Sequence, residues 1–96
     1  MTEIPEKFES VPHEDDTEIF SSEVIAFGDF EVLYESWAFE GVHGESISFT
    51  EDDAEGLRDE ELQDLVEASP LYHGGNHPTV RRSDGFVVVS FNFSAD

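Results

Sequence analysis

Thr50–Ala68, TEDDAEGLRDEELQDLVEA, is the stretch whose reading decides the fold. Ala54, Leu57, Leu62, Leu65 and Val66 recur at spacings that gather them on one side of a 3.6-residue helix. Thr50, with Asp53 three residues on, has the form of an N-cap, and acids in a first turn suit the positive end of the helix dipole. Gly56 costs a helix interior roughly 1 kcal/mol relative to alanine. Two boundaries therefore fit: one helix throughout, or a short first turn followed by a main helix from about Arg58. Ser69-Pro70 ends either, because the residue before proline avoids the helical region. Nine carboxylates (Glu51, Asp52, Asp53, Glu55, Asp59, Glu60, Glu61, Asp64, Glu67) share the stretch with a single Arg58, a net of −8.

Strand patterns lie on both sides of this helix. Glu23–Phe27 is short and β-prone, Gly28-Asp29 suits a two-residue hairpin turn, and Phe30–Phe39 alternates as a second strand. A continuous strand bulged at Gly28 is the competing reading. Phe30, Val32, Tyr34 and Ala38 are expected to face the core. Asp29, Glu31, Leu33, Glu35, Trp37 and Phe39 would line the other side. A turn over Glu40–Gly44 leads to a third strand, Glu45–Phe49. After the helix, 71–78 reads as a glycine-rich loop. Thr79–Arg82 and Phe86–Phe93 then flank a three-residue loop, Ser83-Asp84-Gly85. In the last strand Val87, Val89, Phe91 and Phe93 share one face, with Phe86 and Val88 on the other. The expectation is an α+β domain over 23–96 in the order β-β-β-α-β-β: a small antiparallel sheet of four to five strands with one amphipathic acidic helix on one face. Residues 1–22, with two prolines and no steady period, read as a flexible or loosely docked acidic arm.

The totals limit function. Ninety-six residues, 38% of them hydrophobic and nine of them Phe, suffice for one modest core. Absence of cysteine removes disulfides, thiolate metal sites and a cysteine nucleophile. No apolar run reaches the ~20 residues of a membrane span, and the expected location is the cytoplasm, a host's where the gene is phage-borne. A net charge of −20 excludes electrostatic binding to nucleic acid or anionic lipid as the main activity and favours a basic partner. The charge is uneven: seven acids against Lys7 leave −6 over residues 1–22, fifteen against Arg58 leave −14 over 23–68, and two acids balance Arg81 and Arg82 over 69–96.

Several constellations carry chemistry in principle. Helical carboxylates four apart stand about 5–6 Å from one another, and strand carboxylates two apart repeat every ~6.6 Å. Similar spacings separate DNA phosphates, so Glu51, Asp52, Asp53, Glu55, Asp59, Glu60 and Asp64, with Glu31 and Glu35, form a candidate phosphate-like array. Trp37 and Phe39, beside acids, are either ring anchors in a charged rim, or rings buried by a bulge that flips the strand or covered by the arm. His73 and His77 lie across Gly-Gly-Asn rather than on a helix, without a third zinc ligand nearby in sequence. No nucleotide-binding or nucleophile motif occurs, so neither catalysis nor a cofactor is expected.

Without an alignable signature, the chain resembles a type of protein: small acidic inhibitors, often phage-encoded, that imitate DNA to block restriction, repair or CRISPR machinery. Such inhibitors share no common fold. What the resemblance implies is a non-enzymatic binding protein occupying a basic, nucleic-acid-binding surface of a partner protein. The alternative is a halophilic or virion-associated accessory protein whose acidic surface serves solubility or assembly.

Overall fold

A computed structural model describes residues 5–11, 13, 15–74 and 76–95. Three strands, β1 (Glu18–Phe27), β2 (Phe30–Phe39) and β3 (Val42–Thr50), precede the helix α1 (Asp59–Glu67), and β4 (Thr79–Ser83) and β5 (Phe86–Ala95) follow it. All five join one open antiparallel sheet in the order β1-β2-β3-β5-β4. The expected α+β architecture and its β-β-β-α-β-β sequence are what the chain adopts.

Tight turns set the register. Phe27 pairs with Phe30, so Gly28-Asp29 is a two-residue hairpin and the continuous strand does not form. Ser83 pairs with Phe86, which makes the second loop Asp84-Gly85 alone, one residue shorter than expected. Both of its residues are left-handed (φ 52° and 85°), the conformation that a two-residue turn of this twist demands. Glu40-Gly41 repeats the device (φ 49° and 79°), so β3 starts at Val42 rather than Glu45. Gly44, assigned to the turn from sequence, lies inside that strand.

Sheet alternation gives two cores. Val32, Ile47, Phe49, Val87, Val89 and Phe91 face the helix side and pack with Ala54, Leu62 and Val66. Leu33, Phe86 and Val88 face the other side, where Phe8 and Val11 cover them. Those two come from the segment read as an arm, and β1 takes that segment's last five residues into the sheet. Residues 1–4, 12 and 14 of the arm lie outside the described residues.

The last strand departs from simple alternation. Opposite Gly44, the two residues Asn92 and Phe93 stand against one, and Asn92 is left-handed (φ 55°). This is a β-bulge, and it inverts the facing of everything after it. Phe93 is thereby carried to the face opposite Phe91 and meets Trp37 edge-on, ring centroids 6.0 Å apart.

Candidate partner-binding surface

The acidic stretch is a turn plus a short helix, the second of the two boundaries its sequence allowed. Thr50 Oγ1 accepts the Asp53 N–H at 3.3 Å, and Ala54 N–H donates to Thr50 O at 3.1 Å. Ala54 is buried and Leu57 half-buried, which pins the turn to the core and leaves Glu51, Asp52 and Glu55 exposed, with Asp53 half-buried. The helix begins beyond Gly56, with Arg58 as its N-cap. Arginine has no side-chain acceptor, so capping runs one way: Glu61 Oε1 accepts from the Arg58 backbone N–H at 3.4 Å and from its Nε at 3.3 Å. With nine residues, α1 buries only Leu62 and Val66, one turn apart. Leu65, expected on the same stripe, lies at its margin and is 41% exposed.

Cations are placed at one end of this surface. Arg82 reaches from β4 to Asp59 Oδ1 at 3.0 Å and donates to Leu57 O at 2.8 Å, tying the helix start to the sheet. Asp59, Glu60 and Glu61 occupy the first turn, where the dipole favours them. The last turn has no basic residue of its own. His77 approaches Glu67 there at 3.2 Å, while Asp64 stays exposed.

Ten residues were singled out from sequence as partner-binding, and the fold divides them. Glu51, Asp52, Asp53, Glu55, Asp59, Glu60 and Asp64 lie along one contiguous stretch on the helix side of the sheet. Glu31, Glu35 and Trp37 lie on the other side, because odd positions of β2 face away from the helix. Glu31 is exposed and pairs with Lys7 at 2.9 Å. Glu35 cannot act as a phosphate-like charge: it is 3% exposed, accepts from Ser22 Oγ at 2.9 Å, and holds His13 Nε2 3.0 Å from each carboxylate oxygen. The correction has a simple origin. Alternation puts Glu35 outward, but the arm segment makes that side a second interior.

Trp37 is half-buried beside a cavity of about 230 Å³ lined by Val11, His13, Glu35, Phe39, Arg81 and Phe93 among others, so it is not a freely exposed ring. Arg81 and Arg82 face opposite sides, as neighbours on a strand must. Arg82 has a structural role, bridging to the helix, whereas Arg81 lines that cavity.

Two polar junctions were not anticipated. Asn92 Nδ2 donates to Leu71 O at 2.7 Å and Glu45 Oε2 at 3.2 Å, while its Oδ1 accepts the His73 N–H at 2.8 Å. Tyr34 donates its hydroxyl to Glu45, and its pKa is pushed up to about 12, first by burial, then by Glu45 and by the charge of Glu23. Asparagine between two phenylalanines in an apolar strand was the available signal for the first. The imidazole of His77 meets Glu67, His73 bonds Asn92 through its backbone N–H alone, and among the described residues no three His, Asp or Glu side chains are grouped as a metal site requires. No helix among the described residues is long and apolar enough to cross a membrane.

No protein-family model, no curated protein and no solved structure matches this chain.

Proposed function

We propose that the protein is a non-enzymatic acidic binding module that engages a basic, nucleic-acid-binding surface of a partner protein, through Glu51, Asp52, Asp53, Glu55, Glu60 and Asp64. One observation carries this reading: the turn and helix hold six carboxylates on a frame anchored by Ala54, Leu62 and Val66, and the nearby arginines engage other groups, Asp59, Glu61 and the Leu57 carbonyl. A pre-ordered row of negative charge costs little ordering entropy when it meets cations. It also steers a basic partner during encounter. Glu31, across the sheet and paired to Lys7, falls outside the array. The reading locates the protein in the cytoplasm, a host's where the gene belongs to a phage.

The test starts with capture from lysate at low salt and identification of what high salt elutes. Affinity for that partner should fall steeply between low and moderate salt, and added duplex DNA should compete. A combined Glu51→Lys, Asp52→Lys and Glu55→Lys variant, unchanged in circular dichroism, should lose binding. A salt-independent affinity removes the proposal.

A second reading is favoured by acids away from the array. Glu6, Glu9, Asp15, Asp16, Asp29 and Glu40 are exposed as well, on the arm and on hairpin turns. Salt adaptation, or charge serving solubility in a virion-associated protein, would place them so. A salt-adapted fold melts at low ionic strength and gains stability in molar KCl, because screening relieves self-repulsion. A binding module stays folded at ordinary ionic strength.

A further inference from the structure

We infer that a cleft beside the helix's C-terminal half is the seat for an apolar side chain of the partner, one flanked by lysine or arginine in the partner's own sequence. This rests on the basic-partner reading above and adds an anchor to it. α1 lies over β4 and β5, so it leaves the helix side of the β1–β2 hairpin only partly covered. The gap is a cleft of about 420 Å³, walled by Phe27, Asp29 and Phe30 on one side and by Leu65, Pro70 and Leu71 on the other. Leu65 and Phe20 are the large hydrophobic residues that the described structure leaves exposed, and Leu65 is the one that lines a concavity.

Charge chooses the occupant. Asp29 stands in the wall, Asp64 precedes Leu65 on the helix, and Glu23 lies on the same face of β1 as Ile25 of the cleft. The negative end of the helix dipole points here, and the last turn contains no base to offset it. Lys7 pairs with Glu31 across the sheet, Arg58 and Arg82 are engaged at the far end of the helix, and Arg81 faces the opposite side. His77 lies against Glu67 at that end of the helix. An apolar hollow inside an electronegative rim repels acidic segments. It complements a hydrophobic side chain whose neighbours are cationic, with the charges speeding encounter and the buried side chain slowing release.

Two short synthetic peptides of equal charge test this, one with a leucine between lysines and one with serine in its place. The leucine peptide should bind the wild-type protein at least about tenfold more tightly, the order that burying one leucine provides. Leu65→Ser should erase that preference while leaving the lysine-dependent binding. Amide shifts on binding should centre on Phe30, Leu65 and Leu71, and this map decides the matter if the variant does not fold. Equal affinity of the two peptides overturns the cleft while leaving the acidic array standing. A shift map centred on Trp37 and Phe93 overturns it too. Binding of neither peptide removes both ideas.

Discussion

Gly44 and Trp37 are paired across β2 and β3, and the indole lies where a side chain on Gly44 would be: a Cβ there would stand 2.8 Å from Cη2 and Cζ2 of Trp37. Phe93, turned to this face by the bulge at Asn92, closes in at 3.2 Å from the same point. Glycine inside a strand weakens it unless something needs the space, and here a tryptophan does.

Gly44→Ala should therefore destabilise by about 1–3 kcal/mol through overpacking. The protein has one tryptophan, so its emission reports the site without interference, and a red shift should accompany the lowered denaturation midpoint. Gly41→Ala is the contrasting variant. Nothing lies within 4 Å of its Cβ position but φ is +79°, so it should cost about 1 kcal/mol and leave the emission maximum unmoved. An unshifted spectrum in Gly44→Ala would mean that the indole packs elsewhere.

Asn92 supplies both a left-handed backbone and three hydrogen bonds, to Leu71, His73 and Glu45. Asn92→Ala loses both and should cost about 2–4 kcal/mol. Asn92→Gly keeps the backbone freedom without the side chain, so it should recover roughly 1 kcal/mol of that loss. Hydrogen exchange at the His73 amide should accelerate in both variants, since Asn92 Oδ1 is its acceptor. Equal stability of the two would assign the whole effect to the side chain.

What the sequence declared and what it concealed divide along physical lines. Local signals carried well: Gly28-Asp29 turned as its composition demands, the helix ended at Ser69-Pro70, and Val87, Val89 and Phe91 went to the core together. Long-range coverage did not. Glu35 looked outward because alternation knows nothing of Phe8 and Val11, which come from far earlier in the chain to roof that face. Phe93 was placed one face wrong because a bulge depends on a partner strand, here β3 opposite Gly44. The acids from Glu51 to Asp64 share one side because they are contiguous in the chain, whereas Glu31 and Glu35, drawn from β2, stand on the other face. Leu65 illustrates the remainder: it lies at the margin of the stripe that Leu62 and Val66 bury, and stays exposed beside a cleft.

Tyr34 makes stability pH-dependent at the alkaline end. Its folded pKa, raised to about 12 from 10.0, means the folded protein retains the phenolic proton after the unfolded chain has released it. The contribution is complete below pH 10 and declines as pH rises through about 12. Alkaline difference spectroscopy should show a tyrosine ionising near pH 12, absent in Tyr34→Phe. The variant should also lose stability less steeply than the wild type across that window. A wild-type titration with no late step would show that Tyr34 is neither buried nor bonded to Glu45 in this way.

The strap over the second core should be held chiefly by Phe8, Val11 and the His13–Glu35 pair. Glu35 is buried, and its carboxylate meets His13 Nε2 and Ser22 Oγ. Removing one partner of a buried charge leaves the other desolvated and under-bonded, which is why the loss exceeds the bond's net value. Half of this pair is open to water, the His13 side chain being 39% exposed, so His13→Ala should cost about 1–3 kcal/mol rather than the larger figure for a sealed pair. Glu35→Gln keeps the shape and removes the charge; combined with His13→Ala it should cost less than the two added separately, since both delete one interaction. Limited proteolysis gives an independent measure, because releasing Phe8 and Val11 from the second core should speed cleavage of this segment while the sheet stays intact. Strictly additive losses with unchanged cleavage would show that the strap is held by Phe8 and Val11 alone.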